Sequence, residues 1–251
     1  MFLNNCFRHP AHMTTTLPDI QRNLETLRER IHRAATSAGR DPDTIRLIAV
    51  SKFMTPGHIT RAMSAGQHVF GENTVQDALT KLPLIRDPQN EWHFIGHLQT
   101  NKARHIADHF DWLHTLDNLK LARKLARYAE AAGRHLRVLI QVNISGDPDK
   151  FGLAPEAVAG FAEAFLDAGL GSISLHGLMN IGRHGVTESE RRREFAHLRE
   201  LGDACAVRFG ATHFIQLSMG MSEDYEIAIG EGATMVRIGT AIFGPRPQQH
   251  R

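Results

Sequence analysis

Eight short apolar runs, with a segment of helical spacing between each successive pair, constrain this chain more than any other feature. The runs fall at residues 46–52, 68–73, 92–96, 112–117, 137–143, 172–180, 213–218 and 235–239. Between them, helical patterns occupy 56–66, 75–84, 101–109, 119–132, 155–168, 188–209 and 222–230. Strands that alternate with helices are joined by right-handed crossovers and lie parallel. Eight of them point to an α/β fold, a single closed (β/α)8 TIM-type barrel. An open doubly wound sheet is the alternative, because periodicity by itself does not prove closure. One more helix leads the series, over 17–39. Asp19 caps it, Ile20, Leu24, Leu27, Ile31 and Ala34 recur at helical spacing, and Gly39 stops it.

With 251 residues and no linker or short-period repeat, the chain reads as one barrel domain over 17–246. Residues 1–16 and 247–251 are expected to be tails, and Met13 is a second possible start. A formal net charge of +2 is too small to imply a polyanionic partner, so nucleic acid is not expected. Cys6 and Cys205 are far apart in unlike contexts, which fits a reducing compartment. No run approaches the roughly 18 apolar residues of a membrane span. The first dozen residues lack an apolar leader core. The expectation is a cytoplasmic protein without membrane contact.

In such a barrel, ligands bind at the C-terminal ends of the strands. The residues there are Lys52, Asn73, the 96–99 segment, Asp117, Asn143, Met179 with Asn180, the 218–222 segment, and Gly239 with Thr240. Most are polar or glycine where core strands would be apolar. The loops after the seventh and eighth strands commonly bind phosphate, and here they are rich in Gly, Ser and Thr. Arg237 lies two residues before Gly239, on the same face of its strand. A buried arginine needs a partner: an ion pair with Glu72 or Asp117, or a ligand ring nitrogen. A strand-end lysine, a phosphate cup and an arginine together form the layout of a pyridoxal phosphate (PLP) site.

Specific motifs sharpen this reading. They are Ala49-Val50-Ser51-Lys52, Phe70-Gly71-Glu72-Asn73, Trp92-His93-Phe94-Ile95-Gly96-His97-Leu98-Gln99-Thr100-Asn101-Lys102, Lys150-Phe151-Gly152-Leu153 and Gly177-Leu178-Met179. Leu217-Ser218-Met219-Gly220-Met221-Ser222 and Val236-Arg237-Ile238-Gly239-Thr240 close the series. In order and spacing the chain resembles the pyridoxal phosphate homeostasis proteins, whose barrel is similar to the N-terminal domain of alanine racemases. The resemblance implies that Lys52 holds PLP as a Schiff base. It also implies that Ser218, Gly239 and Thr240 hold the phosphate and that Arg237 faces the pyridine nitrogen. Asn73 would line the ring or its 3-hydroxyl side. Lys150, where the racemase relatives carry an arginine, and Met179 complete the implied set. Thr74 stands where many members have tyrosine.

Two functions are compatible with such a site. One is a carrier of intracellular vitamin B6 homeostasis that holds PLP without robust turnover and passes it to apo-enzymes. The other is a PLP-dependent amino-acid racemase. An arginine stays cationic and cannot protonate the pyridine, so the ring is a weaker electron sink, which disfavours transamination but is compatible with racemisation. Racemisation needs a second acid/base on the opposite substrate face. The racemase relatives supply it from a C-terminal β-domain of a partner subunit. Only residues 245–251 follow Gly244, so that domain is expected to be absent, the carrier is favoured and a monomer is expected. His105 with His109, and His93 with His97, are read as polar side chains rather than metal ligands. Residues 191–193, three arginines in a row, are read as a solvated helix face.

Overall fold

The computed structural model describes residues 19–183 and 185–245. The expectations for the tails at 1–16 and 247–251, and for a start at Met13, lie outside these residues. Eight parallel strands close into a barrel in sequence order, with β8 hydrogen-bonded to β1. They are β1 (Arg46–Val50), β2 (Val69–Glu72), β3 (Glu91–Phe94), β4 (Trp112–Leu116), β5 (Leu136–Gln141), β6 (Ile173–Met179), β7 (Gln216–Ser218) and β8 (Met235–Ile238). Closure, which periodicity left open, is therefore settled against the open sheet.

The helices are α1 (Ile20–Ser37), α2 (Pro56–Ser64), α3 (Val75–Lys81), α4 (Ala103–His109), α5 (Leu119–Ala131), α6 (Val158–Asp167), α7 (Glu188–Phe209), α8 (Tyr225–Gly230) and α9 (Thr240–Phe243). Asp19 caps α1, accepting from the Arg22 N–H at 3.0 Å. Ile20, Leu24, Leu27, Ile31 and Ala35 form its buried stripe against α2, α8 and α9. Each fully buried Leu or Ile there contributes roughly 1.5–3 kcal/mol. Thr187 and Glu190 form a capping box, which is why α7 starts at the residue the sequence indicated.

Three local differences have physical causes. Pro83 converts the end of the 75–84 pattern into a 3-10 turn, Leu82–Leu84. The run at 213–218 yields only a short strand, because Ala211–His213 forms a 3-10 turn before it. α9 follows Gly239 directly and is too short to show a period. Among the described residues, no helix is long and apolar enough to cross a membrane.

Candidate functional site

Lys52 lies just beyond the end of β1, half-buried in a tight turn. Ser51 still continues the ladder, its N–H donating to the Gly71 carbonyl at 3.0 Å. Phe53, directly after the lysine, adopts a left-handed conformation with φ 63°. A non-glycine residue there costs about 1 kcal/mol or more and must be held by its surroundings. Its N–H donates to Asp77 Oδ2 at 2.8 Å. On the other side, the Ser51 hydroxyl donates to Glu72 Oε1 at 2.6 Å. The buried Lys81 Nζ ties the two together, donating to Ser51 O, Glu72 Oε1 and Asp77 Oδ2 at 2.9, 2.7 and 2.9 Å. Both chain neighbours of Lys52 are thus anchored by one buried ionic cluster. Burial pushes the Glu72 carboxyl up to about 7 against the pull of Lys81.

Lys52 opens into a cavity of about 390 Å³ that Asn73, Arg237, Gly239 and Thr240 also line. This volume is in the range of small-ligand sites. Five of the eight sequence-derived site residues therefore converge on one space. Gly96 helps to set Asn73, because a Cβ at residue 96 would overlap the Asn73 carbonyl oxygen. Gly220, at φ +90°, places its carbonyl to accept the Arg237 N–H at 3.0 Å.

The other three lie elsewhere. Ser218 is fully buried beneath the cavity, where its hydroxyl meets His114 Nδ1 at 2.9 Å and Arg237 Nη1 at 2.7 Å. It pairs in register with Met235, two residues short of Arg237 along β8. Met179 is buried inside the barrel with Ile48, Trp112, Leu139 and Met235. Lys150 Nζ donates to the Gly182 carbonyl at 3.2 Å and does not reach the cavity lining.

Met221 and Ser222, from the 218–222 segment, complete the wall with residues that the sequence reading did not place there: Asp224 from the loop after β7, Ile181 from the loop after β6, and Arg191 from α7. Arg191 pairs with Asp224 at 2.5 Å and is nearly buried, so the arginine run is not a purely solvated face. The i, i+4 spacing of Arg191 with Phe195 on the inward side of α7 was the available signal. Arg237 pairs with neither Glu72 nor Asp117. Its Nη2 donates to the Asn180 carbonyl at 2.8 Å, and burial lowers its pKa to about 10, leaving it cationic at neutral pH.

Below Arg237 the hydrogen bonds continue through the barrel. His114 Nε2 meets His93 Nδ1 at 2.8 Å, and His93 Nε2 meets Glu91 Oε1 at 2.7 Å. Burial pushes both histidines down. The charged groups facing them are Glu91 and Arg46 at the barrel floor, Asp111 beside it, and Arg237 above. Burial pushes Glu91 up, but His93 and Arg46 outweigh it and hold the carboxyl at about 2. A depressed acid contributes stability above its unfolded pKa of 4.5 that is lost as pH falls toward the folded value. Depressed histidines act in the same direction, since the unfolded chain takes up protons that the native one refuses. Glu72 acts oppositely only between 4.5 and about 7. Urea unfolding is therefore expected to show a steep stability loss below pH 4.5 that Glu91→Gln makes shallower.

A second, more open cleft of about 800 Å³ lies between α1 and α8, lined by Arg30, Arg33 and Arg192. Arg30 and Arg192 are already paired, with Glu226 and with Glu188 and Glu231. Among the described residues lining this cleft, none carries a primary amine.

Residues 19–247 match the alanine racemase N-terminal domain family. The chain is 45% identical over 227 residues to a pyridoxal phosphate homeostasis protein of Pseudomonas aeruginosa, covering 90% of this chain and 96% of that one. It is 44% identical to the protein of the same name from Escherichia coli, covering 91% and 97%. PipY of Synechococcus elongatus, solved with PLP bound, superposes with a TM-score of 0.78 at 36% identity, over 90% of this chain and all of that one. An alanine racemase of Clostridium difficile, at 14% identity and TM-score 0.69, shares the fold. The chain therefore belongs to the alanine racemase N-terminal domain family and, within it, to the pyridoxal phosphate homeostasis proteins.

Proposed function

We propose that this chain binds PLP reversibly and covalently at Lys52 in cytoplasmic vitamin B6 homeostasis. It acts as a monomer that passes PLP to apo-enzymes without robust turnover of its own. The observation that carries the proposal is the convergence of Lys52, Asn73, Arg237, Gly239 and Thr240 on one cavity. The donor set fits the group: a primary amine, a cation from the neighbouring strand β8, and a Gly-Thr and Ser edge suited to a phosphate. When bound, PLP would supply an aldehyde carbon electrophilic toward a primary amine.

Lys52 provides that amine from the anchored turn. Arg237 would hold the pyridine nitrogen by donating a hydrogen bond without transferring its proton. Thr240 and the backbone at Gly239 hold the phosphate, together with the Ser222 hydroxyl in place of Ser218. The first N–H groups of α9 have no intrahelical acceptor and can contribute. Asn73 lies on the 3-hydroxyl side. Lys150 and Met179 are left out of the set.

Limited turnover follows from the same residues. A cationic, non-transferring arginine leaves the ring a poor sink for carbanion charge, which disfavours transamination, while racemisation is limited by its need for a second acid/base opposite Lys52. Besides Lys52, the buried group able to move a proton among the described residues lining the cavity is Asp224. It is held by Arg191 and by the Met221 N–H at 2.6 Å. The test is solvent deuterium uptake at Cα of alanine or serine by the PLP-loaded protein. No uptake above that of free PLP is expected, whereas Lys52-dependent uptake would instead establish the racemase reading.

A further inference from the structure

The Arg237 guanidinium is held by a serine hydroxyl and a carbonyl, and among the described residues it forms no ion pair. From it a continuous line of hydrogen bonds crosses the barrel: Arg237, Ser218, His114, His93, Glu91. The two ends fix the direction of every link. A guanidinium only donates, and an ionised carboxylate only accepts. Each group between them must accept on the Arg237 side and donate on the Glu91 side. Ser218 O–H therefore donates to His114 Nδ1, His114 Nε2–H to His93 Nδ1, and His93 Nε2–H to Glu91. Only this assignment satisfies all the links with neutral rings.

Trp112 packs against both rings and belongs to a buried apolar cluster with Ile48, Leu139, Met179 and Met235. Two imidazoles cost more to bury there than hydrophobic side chains of similar volume. A carboxylate placed directly against Arg237 would hold it as firmly, but would neutralise its charge at the cavity. A relay that ends in a distant carboxylate supplies an oriented acceptor and leaves that charge for the ligand. Glu91 itself is gripped by Arg46 at 2.6 Å and Arg137 at 2.9 Å, so the far end is fixed.

We infer that His114 and His93 are positioning residues: with Ser218 they form a one-way hydrogen-bond chain, anchored on Glu91, that orients the Arg237 guanidinium toward the ligand cavity. The inference rests on the proposed PLP site.

Two measurements test it. The first is nitrogen-15 NMR of the imidazoles at pH 7.5 in the protein without PLP. Both histidines are expected as neutral Nε2–H tautomers, and an Nδ1–H tautomer or an imidazolium at either position would overturn the chain. The second is the rate of PLP release. Ser218→Ala and His114→Leu remove one link each and should speed release by about tenfold, the scale of one hydrogen bond to a charged group. Ser218→Thr, which keeps the hydroxyl, should restore slow release. Release unchanged within about twofold in both disrupted variants would also overturn the inference. A wild-type protein that bound PLP without any adduct at Lys52 would sink the site assignment instead, and the release comparison would still judge the chain.

Discussion

Lys81→Ala is expected to destabilise the protein by about 3–5 kcal/mol, the range found when one partner of a buried ion pair is removed. Lys81 is 2% exposed and Glu72 fully buried, so solvent cannot replace the lost ammonium. The Glu72 Oε2 atom already lacks a partner, and Oε1 would keep only the Ser51 hydroxyl. The pH dependence identifies the cause. A carboxyl whose folded pKa is raised contributes stability that is lost as pH rises through that value. Without Lys81 the Glu72 carboxyl rises further, so the variant should lose more stability at pH 8 than at pH 5. Adding Glu72→Gln to Lys81→Met should recover much of the loss. Chemical denaturation of the four proteins at both pH values measures this. A Lys81→Ala variant within about 1 kcal/mol of wild type at pH 8 would show that the cluster does not hold the turn.

The cluster bears on function because it fixes Ser51 and Phe53. Lys52 sits between two anchored residues, one of them strained, and its backbone has little freedom to leave the cavity edge. The expected functional consequence of Lys81→Ala is therefore slower and incomplete PLP loading.

Much of this was legible in the chain. The alternation of periods gave eight strands, and strand ends gave Lys52, Asn73, Gly239 and Thr240 as neighbours. Parity along β8 placed Arg237 on their face. Depth along the barrel axis was not legible, because it depends on the stagger between strands. Ser218 ends its strand as Lys52 nearly does, yet its register opposite Met235 sets it one layer below the cavity. Met179 pairs with Ser218 and is sunk with it. Arg191 was hidden for a different reason: a run of three arginines looks solvated until the helix face is known. The histidine chain could not be read at all, since His93 and His114, on the paired strands β3 and β4, meet Ser218 of β7 only across the closed barrel.

Lys52→Ala is expected to abolish covalent PLP loading altogether, because among the described residues no other one lining the cavity carries a primary amine. Arg237, Ser222 and Thr240 would remain, so weak non-covalent binding should persist while the visible absorption band of the bound form disappears. The most direct measurement is peptide mapping by mass spectrometry after borohydride reduction of the PLP-loaded wild-type protein and of Lys52→Ala. The expected result is a single pyridoxyl adduct on the wild-type peptide containing Lys52 and none in the variant. An adduct on a different lysine, or one that survives in Lys52→Ala, would contradict the assignment of this cavity.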